Sequence, residues 1–132
     1  MTSRKVTLEG EIIDPQCYFT HGGGQGLAHR PCALFCARGG QDMAFLNRAG
    51  SRVYPIIADK HGADPNEGLL GYVGYPVVIE GTWFGTQEQR VLRIDAVKRL
   101  DGGAPASPES VLVDPIPHAA AARDTLEGSG AR

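Results

Sequence analysis

The chain has 132 residues, 42% hydrophobic and 21% charged, with a net charge of −2. That is enough for one globular domain with a real core but not for two. No apolar run approaches the roughly 20 residues of a membrane-spanning helix. The charge is uneven: residues 1–100 carry 11 Lys+Arg against 10 Asp+Glu, and residues 101–132 carry 2 against 5. Neither part has the basic stripe that binding along a phosphate backbone needs.

Lys5 to Ile13 alternates, with Val6, Leu8, Gly10 and Ile12 on one side and Thr7, Glu9 and Glu11 on the other. This predicts a half-buried strand, with Gly10 marking a bend or bulge. Asp14-Pro15 ends the strand and places Cys17 just beyond it. Gly22 to Gly26 predicts an irregular loop. It lacks the Lys-Ser/Thr ending of a phosphate-binding loop. Arg30-Pro31-Cys32 predicts a helix start, with proline where its missing N–H costs nothing. The helix continues through Ala33–Arg38 to a glycine stop at Gly39-Gly40.

Met43–Leu46 and Arg52–Ala58 predict a hairpin around Asn47-Arg48-Ala49-Gly50. Asp64-Pro65-Asn66-Glu67 suggests the start of a single-turn helix. Pro76–Phe84 and Gln89–Leu100 predict a second hairpin around Gly85-Thr86-Gln87-Glu88. Val77, Ile79 and Trp83 share one face of it, and Leu92, Ile94 and Ala96 another. The expected fold class is mainly β: a five-stranded OB-like barrel over residues 1–100, with a short inserted cysteine-bearing helix. Residues 101–132 form an irregular, acidic, Pro/Gly/Ala-rich tail, expected to be disordered or to dock on a protein partner, with Val111–Val113 and Ile116 as its apolar part.

All three cysteines (Cys17, Cys32, Cys36) and two of the four histidines (His21, His29) fall within twenty residues. Cys32 and Cys36 are one helical turn apart and share a face, so both sulfurs can reach one ion. A disulfide within that turn is disfavoured, because the two side chains point the same way. His29 precedes the helix and Cys17 arrives from the first strand. Together they offer a Cys₃His set suited to zinc, with iron or copper as alternatives. A Cys17–Cys32 or Cys17–Cys36 disulfide uses the same atoms. His21 is the second-choice nitrogen. His61 and His118 are isolated. Tyr18 and Phe19 are expected to cover the site. A Cys32–His29 catalytic pair is the weakest option, since no oxyanion hole or substrate pocket is evident.

The segments Gly10-Glu-Ile-Ile-Asp14-x-x-Cys17-Tyr18, His29-x-x-Cys32-Ala33-x-x-Cys36-Ala37-x-x-Gly40 and Val77-Val-Ile-Glu-Gly81 resemble a group of small bacterial OB-fold proteins. In those, a strand-end cysteine and an inserted HxxCxxxC helix share one end of the barrel. The resemblance implies ligand roles for Cys17, His29, Cys32 and Cys36 but transfers no activity. The expected function is a non-catalytic metal-binding domain, an accessory or electron-transfer-associated subunit. Two alternatives stand beside it: a thiol redox protein, and a single-stranded nucleic-acid module stacking bases on Tyr54, Trp83 and Phe84. No export leader is visible, which suggests the cytoplasm. Similar sequences usually carry a leader, and its removal would place the protein in the periplasm.

Overall fold

The computed structural model describes residues 1–107. The expectations for Val111–Val113, Ile116 and the rest of the tail lie outside these residues. Five strands close into a barrel in the order β1-β2-β3-β5-β4. They are β1 (Thr2–Ile13), β2 (Ala44–Asn47), β3 (Val53–Ile57), β4 (Pro76–Gly85) and β5 (Arg90–Arg99). Two helices, α1 (Pro15–His21) and α2 (Arg30–Arg38), are inserted between β1 and β2. Among the described residues, no helix is long and apolar enough to cross a membrane.

The long β1 makes closure possible because it pairs on both edges. Thr2–Glu11 run antiparallel to Gly85–Pro76 of β4, and Gly10–Ile13 run antiparallel to β2. Gly10 stands where the two ladders overlap, opposite both Val77 and Asn47. No bulge interrupts β1 there, contrary to one expectation. The glycine is required by close approach instead: a Cβ would strike the Leu46 carbonyl oxygen and the Phe45 ring. The last seam is a short parallel contact, Ile56 opposite Leu92 and Ile57 opposite Arg93.

The alternating residues face inward as expected. Ile12, Phe45, Ile56, Val77, Ile79 and Leu92 form the core, with Val6, Leu8, Trp83 and Ile94 packed around it. A fully buried Ile or Phe contributes roughly 1.5–3 kcal/mol through burial. One face assignment on β5 is corrected. The β4–β5 register shifts between Glu80 and Gly81, so Glu80 pairs with Ala96 while Gly81 pairs with Ile94. Asp95 is the extra residue, and it reverses the alternation beyond it. Val97 therefore packs against the core and Ala96 is exposed.

Ile12 and Ile13 are both fully buried, although neighbours on a strand face opposite ways. Ile12 enters the barrel core. Ile13 lies on the outer face with Ala44 and Leu46, under Tyr18 of α1. Helix α2 supplies Ala33 to the barrel core. It ends as predicted at the glycine pair: Gly40 adopts a left-handed φ of 102°. The Gly40 and Gln41 amides donate to the Ala37 and Cys36 carbonyls, which satisfies the helix end.

The expected helix start at Asp64–Glu67 is a turn instead. Asp64 accepts the Asn66 amide at 2.9 Å. Buried Asn66 accepts the Met43 amide at 2.8 Å and donates to the Gln41 carbonyl at 2.9 Å, tying this loop to the entry of β2. After β5 the chain runs back over the 3-10 turn Leu70–Tyr72, where the Ala106 amide donates to the Gly71 carbonyl at 2.9 Å.

Candidate metal centre

The site is built by two helix beginnings at the end of β1. Asp14 caps α1: its Oδ1 accepts the Gln16 and Cys17 amides at 2.9 and 3.4 Å. Pro15 follows at the first helical position, where proline fits without cost. Cys17 lies just beyond the strand end, as expected, but as the third residue of a helix that the sequence did not predict. Helix α2 likewise has a proline, Pro31, in its first turn and a cysteine, Cys32, third, but the residue at its cap position, His29, makes no side-chain capping hydrogen bond.

Between the helices the chain turns on left-handed glycines. Gly24, at φ 86°, lies so close to the Tyr18 backbone that a Cβ would collide with it. The Gly26 amide donates to the half-buried Glu11 carboxylate, whose pKa burial raises. The glycine run thus folds α1 and α2 back on each other.

Asp14, Cys17, Cys32 and Cys36 converge, with one ligand atom from each lying within 4.8 Å of all the others. The Cys17 and Cys32 sulfurs are 3.8 Å apart, and all three cysteines are free. A disulfide needs sulfurs at about 2.05 Å. Asp14 is 0% exposed, Cys32 1% and Cys17 5%, whereas Cys36 is half-buried. Burial, then the Asp14 carboxylate, then Cys32, push the Cys17 thiol far up. Burial first and Asp14 second push Cys36 up to about 12.

Asp14 Oδ2 is buried with no hydrogen-bond partner among the described residues. A buried carboxylate oxygen is costly unless it is paired or binds a metal. The donor set of three thiols and one orphaned carboxylate oxygen fits a bound divalent cation.

The structure therefore brings together Cys17, Cys32 and Cys36 of the expected ligands, with Asp14 as the fourth member. His29 lies outside this group, at the α2 cap, with its Nε2 buried. His21 is exposed at the end of α1, and His61 is exposed in a loop. Tyr18 covers the outer face of β1 and β2, but Phe19 is 69% exposed, its ring meeting that of Tyr18 edge to face. Asp14 escaped the sequence reading, although Asp-Pro three residues before a cysteine signals a helix cap. A capping side chain bonds the second and third helical amides, so it sits beside the third side chain.

The candidate stacking aromatics are otherwise engaged. Tyr54 belongs to the barrel core, Arg90 lies 4.2 Å from the Trp83 ring centre, and Arg93 lies 5.4 Å from that of Phe84. No family model matches the chain, and no curated protein or solved structure shows significant similarity to it.

Proposed function

We propose that Asp14, Cys17, Cys32 and Cys36 hold a single tetrahedral zinc ion. The chain then serves as a non-catalytic OB-type barrel, an accessory or electron-transfer-associated subunit. The 3.8 Å separation of the Cys17 and Cys32 sulfurs carries the reading. Metal–sulfur bonds of about 2.3 Å in a tetrahedron give sulfur–sulfur edges of about 3.8 Å. An iron–sulfur cluster divides its ligands among two or more irons and sets those on different irons farther apart, so four ligand atoms all within 4.8 Å of one another favour one ion.

Four protein ligands fill a tetrahedral shell and leave no open position for substrate, as in structural zinc sites. Such an ion would staple the end of β1 to both helices. In the same ligand set a mononuclear iron would exchange single electrons, which zinc does not. The strand order and the parallel β3–β5 seam support the OB-type reading.

Elemental analysis of protein purified without chelators tests the assignment. The expected result is one zinc per chain, lost in Cys32→Ala and retained in His29→Ala. Retention in the histidine variant separates the Asp14-containing set from a Cys₃His set. Reduced protein that carries no metal as purified and takes up no added zinc overturns the reading.

A further inference from the structure

The four ligands differ in access to solvent. Asp14, Cys17 and Cys32 are closed off, while Cys36 is half-buried on α2 beside Phe35, which is 38% exposed. A metal-bound thiol is deprotonated outright, and the thiolate is the nucleophile. An oxidant entering from solvent therefore meets Cys36 before any other ligand. A resolving sulfur is already at hand, because Cys17 lies within 4.8 Å and belongs to a different helix. Cys32, one turn away on the helix of Cys36, is poorly placed for a disulfide with it. The link from α1 to α2 runs through Gly22, Gly24 and Gly26, all at positive φ. This turn allows the small approach that sulfur–sulfur bonding needs.

From this arrangement we infer that the metal-loaded centre is a hydroperoxide-responsive site, in which Cys36 is oxidised first, Cys17 resolves it, and the metal is released. The inference rests on the metal-binding reading above. The Cys36 thiolate attacks the outer peroxide oxygen. The O–O bond breaks, the alkoxide or hydroxide leaves and takes a proton, and Cys36 becomes a sulfenic acid. The Cys17 thiolate then attacks the Cys36 sulfur, and hydroxide departs to take a second proton as water. In sum, two thiolates, one hydroperoxide and two protons give a disulfide, an alcohol (or water) and a water. The sulfurs lose two electrons and the peroxide gains them. Cys32 and Asp14 alone do not complete a tetrahedral shell, so the cation leaves.

The test uses the full chain loaded with zinc and treated with hydrogen peroxide. A chromogenic chelator reads the released metal, and peptide mass spectrometry maps the disulfide. The expected result is zinc release in step with a Cys17–Cys36 disulfide, with release slowed at least about tenfold in Cys36→Ser, as expected when the nucleophilic thiolate is removed. Should that variant not retain zinc, the disulfide map of the unaltered chain decides alone. Loaded protein that keeps its zinc under peroxide, or that loses it with Cys36 still reduced, overturns this inference and leaves the metal site standing. A chain that takes up no zinc overturns both.

Discussion

At Asp14 the two carboxylate oxygens differ: Oδ1 receives the amides that begin α1, whereas Oδ2 has no hydrogen-bond partner among the described residues, on a side chain that converges with three thiols. The two can be separated by substitution. Asp14→Asn keeps an oxygen for the cap but loses the ligand charge, so zinc affinity falls while the metal-free protein melts close to the original. Asp14→Ala also loses the cap, which costs about 0.5–2 kcal/mol. Competition titration against a chelator and thermal melts of metal-free protein read the two effects. Equal zinc affinity in Asp14→Asn would remove Asp14 from the ligand set. The cysteine members were legible in the sequence because cysteine is scarce here and its spacing is tight. Asp14 was not, because aspartate before proline is common and nothing local tells an ordinary cap from a cap that also faces sulfur.

The inserted segment Pro15–Arg38 contributes little to the barrel core: Ala33 of α2 enters it, and Tyr18 of α1 packs on the outside. Both helices are short, and isolated helices of this length are marginal in water. Their order therefore depends on tertiary contacts and, on the proposed reading, on a shared ion. Removing the metal with a chelator should speed hydrogen exchange of the α1 and α2 amides. The β1–β4 ladder, ten residue pairs long, should be unaffected. Mass-spectrometric exchange on loaded and stripped protein checks this, and equal protection of the helices in both forms would exclude a stapling role. Helix α2 was legible through Pro31 and the Gly39-Gly40 stop. Helix α1 was not, since Pro-Gln-Cys-Tyr-Phe-Thr-His is too short to show a helical period and merges with the glycine run.

Stability belongs to the whole molecule, and its pH dependence follows from the thiols. The folded state holds Cys36 protonated up to about 12, through burial first and Asp14 second, whereas an unfolded thiol ionises near 8.5. Above that value the unfolded chain binds fewer protons than the folded one, so stability falls as pH rises. For metal-free reduced protein the contribution is complete below about pH 8.5. It is lost progressively as pH approaches the folded value. Urea titrations at several alkaline pH values measure this, and Cys36→Ser should flatten the decline. An unchanged slope in that variant would remove Cys36 as the cause.

Alternation and glycine placement in the sequence by themselves determined five strands, their hairpins and a β-barrel, because half-burial writes a period of two along each strand. Cysteine spacing likewise marked where a metal could sit. Tertiary structure alone decided the rest. The parallel β3–β5 seam joins residues far apart in the chain, and the register shift at Glu80/Gly81 that turns Val97 inward depends on how β4 and β5 meet. The fourth member of the cluster is fixed by how α1 and α2 fold back across the glycine loop. That approach brings a capping aspartate to three sulfurs, a distance in space that sequence spacing does not encode.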